Sequence, residues 1–312
     1  PPENYISGRA CDHYNRYRKD FDIAKQLGHN AHRFSLEWSR IEPEEGKFDE
    51  KELEHYRDVI SALRERGIGP FVSLWHWTLP VWLQEKGGVL ASNFPDYFAR
   101  YTGRVLDALQ HTIRFWITVN EPEIYALNSY VRGKWPPQKR RLFSFFPVTH
   151  ALSMAHRRAY QVIKKSLPDA QVGVAVNQSY FESAGGVVND ILTWGAERLW
   201  NRRLLRHVSN ELDFIGLNYY FHNRIDYGLN KNRNEKVSDM GHELYPEGLY
   251  RVLLGLKKFQ KPIYITENGL ADAQDKHRTW FIQEHIRWMK KAMDESVDVR
   301  GYFYWSLLDN FE

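Results

Sequence analysis

Polar and charged residues gather immediately after short β-branched and aromatic runs. Glu121 closes Thr118-Val119-Asn120-Glu121-Pro122, and Glu267 opens Glu267-Asn268-Gly269 after Ile265-Thr266. His76 and Trp77 follow the run Pro70–Trp75, and Asn218, Tyr219 and Tyr220 follow Asp213–Leu217. Each has a plain structural reading when taken alone. A Glu at a strand end can cap the next helix, and a single His is most simply a satisfied structural side chain. Two Glu at two strand ends, with His, Asn, Tyr and Trp at others, are harder to explain that way. Two carboxyl groups facing one pocket suit the cleavage of glycosidic bonds. One protonates the leaving oxygen while the other attacks the anomeric carbon or activates water. Other chemistries lack their parts. There is no G-x-S-x-G elbow, no H-E-x-x-H and no Cys/His constellation. His29 and His32 have no evident third ligand, so no metal site is expected.

The elements that must position these residues alternate in type. Seven runs read as strands: Ala31–Leu36, Pro70–Trp75, Ile113–Val119, Gln171–Val176, Asp213–Leu217, Pro262–Thr266 and Val299–Trp305. Their starts lie roughly 35–60 residues apart, the spacing of βα units with some long loops. Stretches of helical period separate them. In Asp49–Arg66 the residues Leu53, Tyr56, Val59, Ile60 and Leu63 recur on one helical face. Asp49 with Glu52 resembles a capping box, and Gly67 stands at the stop. A helix opening at Asn93 buries Phe98, Tyr101, Val105 and Leu109, and another spans Tyr17–Leu27 up to Gly28. Strand followed by helix, repeated, implies parallel strands with right-handed crossovers. A (β/α)₈ barrel without its first strand and last helix fits this pattern, and so does an open doubly wound sheet. The absence of a G-x-G-x-x-G or P-loop favours the barrel.

Composition narrows the partners. The chain has 312 residues, 43% hydrophobic and 26% charged, with a net charge of +4. So weak a charge gives no reason to expect nucleic acid. No run approaches a membrane span, so no membrane partner is expected. The one cysteine, Cys11, cannot form an internal disulfide, which fits a cytoplasmic location. The 11 Trp suit either core filling or stacking against sugar rings. The basic run Lys139-Arg140-Arg141 reads as a solvated rim.

Six stretches together resemble glycoside hydrolase family 1, the β-glucosidase family. They are Arg33–Ile41, His76–Pro80, Thr118–Pro122, Asn218–Tyr220, Ile265–Gly269 and Trp305–Glu312, in the family's order and across nearly the whole chain. The resemblance implies one (β/α)₈ TIM-barrel catalytic domain over residues 1–312 and a retaining β-glycosidase without cofactor or metal. Its substrate would be a small-molecule or oligosaccharide β-glucoside, with β-galactosides or β-fucosides also in reach. It implies Glu121 as acid/base and Glu267 as nucleophile. Asn120 would hold the sugar 2-hydroxyl, His76 the 3-hydroxyl and Glu312 the far hydroxyls. Trp305 would stack under the ring, with Trp77 also on the substrate side. Arg33 and Tyr220 would hydrogen-bond the nucleophile, and Asn218 would support the site.

The same resemblance sets further expectations. Thr78 stands where the family often has Asp. The family's usual first strand and final helix are not in the sequence, so the whole molecule is expected to be longer, with Ala31–Leu36 and Val299–Trp305 flanking a gap. Glu121 is expected to have a raised pKa because of the nearby charge of Glu267, with the two carboxyl groups about 5–5.5 Å apart. Glu312 and Glu121 argue against phospho-sugar and thioglucoside specialists. The rival class is a non-catalytic sugar-binding or scaffold barrel.

Overall fold

A computed structural model describes residues 8–109 and 113–309. Seven strands form one parallel sheet in chain order: β1 (Ala31–Ser35), β2 (Gly69–Ser73), β3 (Phe115–Asn120), β4 (Gln171–Ser183), β5 (Phe214–Ile225), β6 (Ile263–Asn268) and β7 (Val299–Tyr304). The sheet curls into a nearly closed (β/α) barrel, the fold the sequence favoured over the open sheet. Among the described residues, β1 and β7 are its two edges. Every strand falls on one of the expected runs. β4 and β5 run well past their expected ends, pairing on to Ser183 and Ile225 after a register shift at Gln178/Ser179. The polar residues that follow Leu217 read as a strand exit, and the run before them reads as ending at Val176. Instead they continue as a two-stranded ribbon that rises above the barrel mouth.

The helices obey their periodicity. Glu50–Glu65 buries Leu53, Tyr56, Val59, Ile60 and Leu63, and Gly67 with φ +71° ends it. Its start is not a capping box. Asp49 accepts from the Lys51 N–H at 2.8 Å, whereas Glu52 turns away to accept from the Tyr14 hydroxyl at 2.7 Å. The long carboxylate is thus used to fasten the helix His13–Gln26 rather than to close its own first turn. Phe94–Leu109 buries Phe98, Tyr101, Val105 and Leu109 as expected.

Much of the aromatic content is core. Phe71, Phe115, Phe214, Tyr264 and Phe303 plug the barrel floor, with Phe71 stacked on Phe115 at 4.1 Å and Phe214 edge-on to Tyr264 at 5.2 Å. These inward side chains from β2, β3, β5, β6 and β7 make a packed layer on which the polar mouth rests. Phe214 is fully buried. Phe214→Ala is expected to lower unfolding free energy by about 3–5 kcal/mol, measurable by urea titration, and a loss well under about 1 kcal/mol would mean that the floor is not close-packed.

Candidate active site

The parallel topology sends the C-terminal ends of all seven strands to one mouth, so residues scattered through the sequence converge there. Asn120 ends β3, Glu267 and Asn268 end β6, and Asn218 and Tyr220 sit within β5. Glu121 is the first residue past β3. Its backbone is left-handed, with φ 43°, and its N–H donates to Ala175 O of β4 at 2.8 Å. Trp77 is left-handed as well, with φ 79°. Non-glycine residues rarely hold such conformations, and where they persist they tend to mark functional sites.

The two carboxyl groups have different partners. Glu267 accepts from the Arg33 guanidinium at Oε1 and from the Tyr220 hydroxyl at Oε2, the latter at 3.0 Å. The ion pair is buried, with each side chain 6% exposed. Burial pushes the Tyr220 hydroxyl well above its ordinary pKa, with the charge of Glu267 adding to it, so this phenol keeps its proton and donates it. Glu121 is 4% exposed, and among the described residues no cation is bonded to it. Its Oε1 accepts from two neutral amides, Asn177 at 2.9 Å and Asn218 at 3.0 Å. Burial raises its pKa to about 8, with the charge of Glu267 next in importance, while the two amides and Arg33 act the other way. The direction agrees with the expectation from the sequence. The main cause is burial, whereas the sequence reading had invoked the neighbouring charge.

Asn120 ties the two halves together. Its Oδ1 accepts from Arg33 at 2.6 Å and from Asn218 at 3.3 Å, so its Nδ2 is the donor toward His76 Nε2 at 3.2 Å. His76 must then accept at Nε2 and carry its proton on Nδ1. Burial lowers the His76 pKa to about 4, so the ring is neutral near pH 7. Trp77 donates from Nε1 to Asn120 O at 3.2 Å and packs on Trp135 at 4.5 Å. The Trp305 ring lies 6.1 Å from that of His76. The chain leaving β6 passes very close to Trp305: a Cβ at Gly269 would lie 1.9 Å from the Trp305 carbonyl oxygen, so this position requires glycine. Thr78 is accommodated by donating to Glu37 at 2.8 Å.

The structure thus gathers Arg33, His76, Trp77, Asn120, Glu121, Asn218, Tyr220, Glu267 and Trp305 around one mouth. Glu312 lies outside the described residues. Three neighbours escaped the sequence reading. Asn177 bonds Glu121, Thr266 donates to Asn218 Oδ1 at 2.6 Å, and Ser73 accepts from Arg33 Nε at 3.2 Å. Asn177 directly follows the run Gln171–Val176, so the rule that found the other residues could have found it. A cavity of about 390 Å³ lies elsewhere, beside the β4–β5 ribbon, with His222 held between Glu243 at 2.5 Å and Glu182 at 3.0 Å. Both ring nitrogens of His222 are occupied there, and neither Glu121 nor Glu267 lines that cavity.

The sequence model of glycosyl hydrolase family 1 matches residues 2–201 and 201–312. The chain is 34% identical to the β-glucosidase A of Thermotoga maritima, over 97% of this chain and 79% of that one. It is 33% identical to the 1,4-β-D-glucan glucohydrolase of Thermotoga neapolitana, over 97% and 83%. Among solved structures, the family 1 β-glucosidase of Thermotoga maritima in complex with isofagomine lactam superposes with a TM-score of 0.91 at 32% identity, over 97% of this chain and 79% of that one.

Proposed function

The chain belongs to glycosyl hydrolase family 1, and on that premise we propose that it cleaves β-glucosides with retention, through Glu121 as acid/base and Glu267 as nucleophile. The observation that carries the assignment is the contrast between the two carboxyl groups. One is paired with a guanidinium and a phenol, and the other is buried among neutral amides. A buried carboxyl group with a raised pKa suits the acid, and a carboxyl group held in place by a guanidinium and a phenol suits the nucleophile.

In the first step Glu121 gives its proton to the glycosidic oxygen as Glu267 attacks the anomeric carbon. The aglycone leaves and a covalent glycosyl-enzyme remains. In the second step Glu121, now a carboxylate, takes a proton from water, which attacks the same carbon and releases Glu267. Arg33 and Tyr220 hydrogen-bond Glu267 and position it between turnovers. Asn120, His76 and Glu312 hold sugar hydroxyls, Trp305 stacks under the ring, and Trp77 braces Asn120. Asn218 and Asn177 orient Glu121. β-Galactosides and β-fucosides are further substrates on this reading, residues 1–312 form one catalytic barrel, and the unpaired Cys11 fits the cytoplasm.

Release of nitrophenol from an aryl β-glucoside tests hydrolysis, and proton NMR of the first-formed sugar tests its stereochemistry. The β anomer is expected. An α anomer would mean inversion and a water seated between carboxyl groups roughly 6.5–9.5 Å apart. No release at all would leave a sugar-binding barrel. The pH profile of kcat/KM should fall on the alkaline side near pH 8, because the form of Glu121 that reacts first is protonated. Asn177 favours the charged form of Glu121, so Asn177→Ala should move that limb to higher pH. A limb that stays in place or moves down would show that Glu121 does not set it.

A further inference from the structure

Two adjoining segments of the rim turn apolar side chains outward. The helix Val187–Ala196, which follows β4, is inverted relative to an ordinary surface helix. Its polar Asn189 faces the body, where Nδ2 donates to Gly185 O at 2.9 Å and Oδ1 accepts from the Tyr227 N–H at 2.8 Å. Its other face carries Val187, Val188, Ile191, Leu192 and Trp194, each between 44% and 75% exposed. The second segment, 132–146, follows β3. It exposes Leu142 by 71% and Phe143 by 85%. The same segment holds the cations Arg132, Lys134, Lys139, Arg140 and Arg141, all exposed, and contains no Asp or Glu. The chain just beyond the first segment packs on the second. Phe145 stacks on Trp200 at 6.2 Å, and the Arg203 guanidinium lies 4.9 Å from the Phe146 ring centroid.

An apolar face of this size needs an occupant. A further strand closing the barrel would enter between β1 and β7, whereas this face lies beyond β3 and β4, in the middle of the sheet order. A second copy is disfavoured by charge. A two-fold contact opposes a patch to itself, and it would bring one uniformly basic segment toward another. An anionic lipid surface complements both features at once. Val, Leu, Phe and Trp side chains enter the headgroup boundary while Lys and Arg meet the phosphates. Such docking needs no spanning helix, and among the described residues no helix is long and apolar enough to cross a membrane.

We propose that the face formed by residues 132–146 and 187–199 docks the protein peripherally on an anionic lipid surface, with the mouth beside Glu121 at the edge of the contact. On this proposal Lys139-Arg140-Arg141 belongs to a binding surface rather than to a solvated rim, and the protein has a membrane partner that the sequence reading does not expect. The test is co-sedimentation of the intact protein with phosphatidylcholine vesicles containing roughly one-third phosphatidylglycerol, against phosphatidylcholine alone. Binding to the anionic vesicles, released by high salt, is expected. Arg140→Glu/Arg141→Glu should lower the partition coefficient at least about tenfold, and Phe143→Ser/Trp194→Ser should lower it about as much. Unchanged circular dichroism melts establish that both variants are folded, so the result stands whether or not the protein hydrolyses glucosides. Absence of binding, equal binding to neutral vesicles, or a wild-type dimer that Phe143→Ser/Trp194→Ser splits would each overturn the proposal.

Discussion

Glu267→Ala is expected to lower kcat on an aryl β-glucoside by roughly 10⁴–10⁶-fold, because the covalent step loses its nucleophile altogether. The space left by the side chain lies beside Arg33 and the Tyr220 hydroxyl, each of which loses the acceptor that Glu267 supplied. A small anion suits that gap, so azide or formate should restore part of the rate with activated substrates. Stereochemistry gives the sharper reading. Azide attacking from the side of Glu267 inverts the β-glucoside once, so the product should be the α-glycosyl azide. Stability must be followed in parallel, since removing one partner of a buried ion pair typically costs about 3–5 kcal/mol. Glu267→Gln, which keeps the volume and still offers an acceptor, is the control for folding. Near-wild-type turnover in Glu267→Ala, or a β-glycosyl azide from it, would refute the assignment.

The strands, and the convergence of polar residues past their ends, were legible because a parallel barrel imposes a simple rule. β-Branched runs stop where the mouth begins. Glu121, Glu267, His76 and Asn218 all obey it. The rule locates residues but does not say which of them touch. That Arg33 on β1 pairs with Glu267 on β6 came from the family resemblance, because the contact spans 234 positions and depends on the curl of the sheet. Asn177 satisfies the same rule, standing directly after Gln171–Val176, but its position does not reveal that its amide reaches Glu121 at the end of β3. Glu52 shows a related limit: its spacing from Asp49 suits a capping box, but spacing cannot reveal a competing hydroxyl on Tyr14. Periodicity likewise shows that Val187–Ala196 has an apolar face without saying that the face is turned outward. The raised pKa of Glu121 was anticipated in direction but not in main cause, since burial is a property of the closed fold.

Glu121→Gln is expected to separate substrates by their leaving groups. The loss in kcat/KM should be on the order of 10²–10⁴ for alkyl glucosides, the usual worth of general acid–base catalysis. These aglycones depart as strongly basic alkoxides unless they are protonated. A dinitrophenolate leaves without help, so its kcat/KM, which reports the first irreversible step, should change little. Its kcat should still fall, because water attacking the glycosyl-enzyme also relies on Glu121, now as base. The covalent intermediate should therefore accumulate, visible as a burst of dinitrophenol. Azide needs no base, so it should speed turnover, and it attacks the glycosyl-enzyme from the β face. The product should be the β-glycosyl azide, opposite to that from Glu267→Ala. The hydrogen bonds from Asn177 and Asn218 both fall on Oε1 of Glu121, and a glutamine can still present a carbonyl oxygen there, so the fold should be retained. Equal losses in kcat/KM for alkyl and dinitrophenyl glucosides would mean that Glu121 does not deliver the proton.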